Sequence, residues 1–137
     1  MDRELRGHPG IGPAVRGVAL VARDGFSARY DLDRVRGVFS RPSHRLFGQS
    51  YVGRVLVLDN AKGGVASAWM LHEMAAGGMA PLALLLNQAN PVMAQGAALA
   101  DLPLIDRFER DITSAIRTGD RLEVDPLSGT VRVLAPA

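Results

Sequence analysis

One short stretch holds most of the residue types that can do chemistry. In VLVLDNAKGGVASAWMLHEMAAGG, residues 55–78, a run of strand formers gives way to a glycine pair and then to a helical pattern. Lys62, at the break, is the only lysine among 16 basic residues; the others are arginine. A strand followed by a tight turn and a helix is a βα turn, and ligands of open α/β sheets collect at the carboxyl ends of such strands. The helix start offers unpaired N–H groups and a partial positive charge. Gly63 and Gly64 let a ligand approach the backbone closely, and Lys62 adds a full charge. Lys62, Gly63 and Gly64 are therefore the candidate substrate-binding residues, for a carboxylate or phosphate. The alternative is a tight turn with a solvated lysine. The spacing is not that of a P-loop, which needs separated glycines and a Lys-Ser/Thr pair.

The helix after the turn can be read at about 100° per residue. Ser67, Met70, Leu71, Met74 and Ala75 fall on one face, and Trp69, His72 and Glu73 on the other. Ser67 is the only hydroxyl between Tyr51 and the end of this helix. It is either a candidate catalytic residue or a small side chain packed on a sheet. Trp69 is either an interface anchor or a cover for a loop of its own chain. Gly77 or Gly78 supplies the stop. Other candidates have weaker support. His8, His44 and His72 lack metal-ligand spacing, so no metal site is expected in this chain. Asp101 and Asp106 flank a short strand and read as caps. With no cysteine, the chain offers neither a disulfide nor a thiolate metal site.

The elements that must position these residues follow from pattern. Residues 15–23 read as a first strand. Residues 53–59 and 80–87 are continuous apolar runs, as in strands buried on both faces. Residues 102–106 form a third short buried strand. Asn90-Pro91 opens a short helix. The tail alternates on either side of Pro-Leu-Ser-Gly, a β-hairpin. Residues 24–50 form a long irregular connection rich in Arg, Asp, Ser and Gly, of a kind that is often functional. The fold class is α/β, a single domain over residues 1–137 with added β-structure.

Composition narrows the function classes. The 137 residues are 47% hydrophobic and 22% charged, with few aromatics. No apolar run has the length of a membrane span, and the first residues have no signal-peptide core, so a cytoplasmic protein is expected. Residues 1–58 hold ten Arg against five acids. These arginines are scattered without a basic run, which argues against nucleic acid and allows an acidic partner or anionic substrate.

Four blocks in order resemble the small subunit of the aconitase X group, its swivel domain. They are GPAVRGVALV, HRLFGQSYVGRVLVL, the long run AKGGVASAWMLHEMAAGGMAPLALLLNQANPVMAQGAALADLPLID, and TGDRLEVDPLSGTVRVL. The resemblance implies a swivelling β/β/α barrel-like domain. It also implies a partner, a cysteine-bearing large subunit that carries an Fe–S cluster or other metal, with no cofactor in this chain. The joint enzyme would be a hydro-lyase (dehydratase) acting on a small hydroxy acid such as cis-3-hydroxy-L-proline or phosphomevalonate. In the family this turn carries a serine that acts as the base, and the matching position here is Gly64. Either Ser67, one helical turn on, takes over, or the base comes from elsewhere, or this branch does other chemistry. A non-catalytic binding or regulatory domain that kept the fold and lost the serine is the alternative. Trp69 and residues 34–45 are the expected partner interface.

Overall fold

The computed structural model describes residues 3–137. Parallel pairing builds the centre of the sheet. β3 (Val15–Val21) lies beside β6 (Val55–Asn60), which lies beside β7 (Ala83–Gln88), which lies beside β8 (Leu104–Asp106). On the other side of β3 the tail hairpin, β9 (Arg121–Asp125) and β10 (Thr130–Ala135), pairs antiparallel. The aliphatic runs, the βα turn and the hairpin thus form where the sequence places them, with boundaries moved by one to three residues. The mixed α/β class is the observed one.

The N-terminus was not expected to join the sheet, and it closes it. β1 (Arg3–Arg6) pairs with β10 at one end of the strand order, and β2 (His8–Ile11) pairs with β8 at the other. Only Gly7 separates these two strands. The ribbon 3–11 therefore bridges both edges and turns the eight strands into a barrel, which leaves no long open edge. Gly7 N–H donates to Gly129 O at 2.8 Å, and Gly10 N–H to Pro126 O at 2.7 Å. A Cβ on Gly10 would sit 1.9 Å from Leu104 O, so the approach requires a glycine.

Period-two alternation on β6 and β7 serves two cores. Val55, Val57, Ala83 and Leu85 face the barrel interior with Leu5, Ile105, Leu122, Val124 and Val131. Leu56, Leu58, Leu84 and Leu86 face an outer layer of helices and loop. This layer contains α1 (Val65–Ala76) and α2 (Pro91–Leu99). It also contains the connection 24–50, which, with Tyr51 just after it, buries Phe26, Phe39 and Leu46 against the helices and carries the small ribbon β4 (Leu32–Asp33) with β5 (Val38–Phe39). A short helix, α3 (Ile112–Ala115), closes the barrel with Ile112 and Ala115. Among the described residues, no helix is long and apolar enough to cross a membrane.

Candidate functional site

The turn after β6 is held from both sides by backbone. Lys62 N–H donates to Phe26 O at 2.8 Å, and Ala61 N–H donates to Gln88 O at 3.2 Å. Lys62, Gly63 and Gly64 are all exposed, so the structure presents the three predicted binding residues together at the carboxyl end of a parallel strand. The two glycines have different reasons to be there. Gly63 has φ +121°, and a Cβ on it would lie 2.4 Å from Ser67 Oγ; the turn needs a glycine. Gly64 is the N-cap of α1, with φ −118°, no side-chain cap and nothing within 4 Å of a Cβ. An L-residue fits there. The serine that the resemblance implies at this position is replaced by a glycine with room for a larger residue.

Ser67 lies where the helical wheel puts it, buried at 3% exposure beneath Gly63, and it lines neither of the clefts that Lys62 borders. Trp69 stands out at 58% exposure, edge-on to His72. With Val65, Val92 and Leu99 it lines an apolar groove of about 190 Å³ between α1 and α2. Of the two candidate stops, Gly78 takes the left-handed conformation, with φ +72°.

Lys62 stands between two clefts. The first, about 330 Å³, is bordered by Asp24, Gly25, Ser27, Tyr30, Asp31 and Arg41. Asp31, 4% exposed, accepts from Ser27 N–H at 3.0 Å and from Arg41 Nε. Arg41 also donates to Ser43 Oγ at 2.6 Å and lies 3.6 Å from Asp24. The hydrogen bond that Arg41 donates to Asp31 leads the effects that hold its guanidinium above the ordinary pKa; burial opposes it. Burial pushes Asp24 up, but the N–H groups of Arg45 and Gly25, with His44 and Arg41 beside it, outweigh that, and its carboxyl is lowered. His44, stacked 4.5 Å from Phe39, accepts Leu46 N–H on Nδ1 at 3.0 Å, so its Nε2 proton is donated to Gly25 O at 2.8 Å. This cluster folds the connection over the turn. Its residues come from the aperiodic segment flagged as a functional connection, but no spacing signal joined them.

The second cleft, about 360 Å³, lies between the ends of β6 and β7 and the start of α2. Asn60, Lys62, Gln88, Asn90 and Arg107 border it. Asn90 caps α2, its Oδ1 accepting Met93 N–H at 2.8 Å. Asn60 Oδ1 and Tyr51 Oη are buried without a hydrogen-bond partner among the described residues. Asp106 caps as expected, accepting Ala89 N–H at 3.0 Å, whereas Asp101 sits at φ +53° after α2. The donor set does not fit a metal: there is no cysteine, and among the described residues no three His, Asp or Glu side chains cluster to hold an ion.

A β/α barrel closed by its own N-terminal ribbon, holding out an exposed glycine turn, has the build of a swivel-type domain. The aconitase X swivel-domain model matches residues 4–133, and the chain belongs to that family. The phosphomevalonate dehydratase small subunit of Methanopyrus kandleri is 36% identical over 87% of this chain and 87% of its own length. The protein of that description from Methanocella arvoryzae is 29% identical over 95% and 98%. The crystal structure of Thermococcus kodakaraensis aconitase X, in its holo form, superposes with a TM-score of 0.89 at 27% identity, over 96% of this chain and 98% of that one.

Proposed function

We propose that this chain is the small subunit of a two-subunit hydro-lyase that dehydrates a small phosphorylated hydroxy acid, phosphomevalonate or a close analogue, in the cytoplasm. The observation that carries the reading is the exposed Lys62-Gly63-Gly64 turn, in a chain whose near-full-length relatives are named as small subunits of that dehydratase. The large subunit, bearing cysteines, carries the Fe–S cluster or other metal, which would act as the Lewis acid for the departing hydroxyl. This chain's part is to bind and orient. Lys62 and the uncapped N–H groups of α1 hold an anionic group of the substrate. The apolar groove of Val65, Trp69, Val92 and Leu99 continues from the start of α1 and docks the large subunit, with residues 34–45 contributing from the connection.

Gly64 offers no hydroxyl, and Ser67 Oγ lies under the turn. Co-expression with the large subunit, followed by dehydration assays on phosphomevalonate and on cis-3-hydroxy-L-proline, tests the reading. Turnover should require both chains. Lys62→Met should raise KM about ten- to a hundredfold, the scale of a charge-assisted hydrogen bond. Ser67→Ala should cut kcat at least about a hundredfold if this hydroxyl is the base, and only a few-fold if it is packing. Absence of turnover in a stable complex would leave a non-catalytic regulatory subunit, the reading that the vacant Gly64 favours.

A further inference from the structure

We infer that the cleft between Lys62 and Arg107 is a phosphate-binding subsite. The inference deepens the proposed function and rests on it for the identity of the substrate, but not for the binding itself. The two clefts beside Lys62 differ in sign. In the first, Asp24 and Asp31 hold Arg41, so its cation is already paired. The second is bordered by Lys62 and Arg107 together with Asn60, Gln88 and Asn90, and no carboxylate lines it. Asp106 is the nearest acid to Arg107, 3.7 Å from its Nε, but one of its oxygens already accepts Ala89 N–H. The Arg107 side chain remains 62% exposed.

The geometry around Arg107 is fixed by backbone. It follows β8 directly, sits at φ +54°, and donates its N–H to Asn87 O at 3.0 Å. That bond ties the end of β8 to the end of β7, on the side of the cleft opposite the Lys62 turn. The positive end of α2 opens onto the same space, adding to both cations. A forked guanidinium on one side and a flexible ammonium on the other suit a dianion with several acceptor oxygens, a phosphate monoester, better than a single carboxylate. Within this subsite Arg107 supplies the forked contact, from a backbone held in place, and Lys62 the point charge.

The test uses the full chain and inorganic phosphate, followed by amide NMR. Saturable shifts should gather on residues 61–63, 88–93 and 107. Arg107→Gln should weaken binding about tenfold or more, and Arg110→Gln, outside the cleft, should leave it unchanged. Shifts spread over many arginines, or insensitive to Arg107→Gln, mean an adventitious ion only and overturn the inference. In the assembled enzyme, Arg107→Gln should raise KM for a phosphorylated hydroxy acid about tenfold and leave a non-phosphorylated one unaffected. Phosphate shifts at the cleft in an assembly without dehydratase activity would remove the proposed function and keep the subsite. Turnover of a phosphorylated acid by an assembly whose small subunit shows no such shifts would do the reverse.

Discussion

Val57 and Leu85 point into the closed barrel, while their neighbours Leu58 and Leu84 point into the layer of helices and connection. The same two strands serve both interiors, yet the interiors differ in kind. The barrel interior is built from aliphatic side chains of the strands that ring it, with Ile112 and Ala115 of α3 closing one end. The outer layer mixes leucine with buried Asp31, His44 and Ser67, and with orphaned polar atoms on Tyr51 and Asn60. Burial pushes the Tyr51 phenol up, as expected for a hydroxyl with no partner to stabilise its anion. Asp31 and His44 do more than fill space, because their hydrogen bonds reach Ser27, Arg41, Gly25 and Leu46. They hold the connection over the turn that carries Lys62, so one face of the sheet supplies rigidity and the other supplies a site.

Adjacent leucines give the sharpest contrast. Leu85→Ala and Leu84→Ala each remove a fully buried side chain and should cost about 2–5 kcal/mol. The ring of strands around Leu85 has little freedom to collapse, whereas helices and loop can settle on Leu84, so Leu85→Ala should lie at the upper end and Leu84→Ala at the lower. Equal losses in urea unfolding would break the distinction between the two interiors. Within the outer layer, the glycine pair should split in the same manner. Gly63→Ala forces a Cβ against Ser67 at positive φ and should cost about 1–3 kcal/mol. Gly64→Ser enters open space at an N-cap and should gain a few tenths of a kcal/mol. If both were destabilising in thermal unfolding, the turn would be tighter than described.

A pH-dependent effect belongs to Asp111, which caps α3 and links it to β7. Hydrogen bonds from the Asn87 amide, then from Thr113, and then from Ser114 hold its carboxyl down to about 2, against an opposing effect of burial. Because the folded value lies below the unfolded one, its contribution is complete above the ordinary 3.8 and is lost as the pH falls toward about 2. Asp111→Asn should therefore flatten part of the acid limb of a stability-versus-pH curve below about pH 4 and leave the neutral range nearly parallel to wild type.

The parts of this molecule that the sequence makes legible are those whose signal is local. Contiguous aliphatics mark β6 and β7, Asn90-Pro91 marks the start of α2, and Pro-Leu-Ser-Gly marks the hairpin. The glycine pair and the lone lysine locate the turn. β1 and β2 are not legible, because each is four residues long and their buried contact comes mainly from Leu5, while their partners stand about a hundred residues later. Arg107 is likewise invisible in a run of charged residues until β8 brings it across from Lys62. The Asp24, Asp31, Arg41 and His44 cluster has no periodicity to betray it, since its contacts are set by how an irregular segment folds back on itself.

The ribbon of residues 3–11 has a consequence during synthesis. Its partners, residues 104–106 and 130–133, are made about a hundred residues later. Until they are, the first strands made have nothing to pair with, although β3, β6, β7 and α1 can already assemble behind them. Barrel closure therefore waits for these later strands. It is a long-range event whose loop-closure entropy slows it relative to the local pairings that precede it.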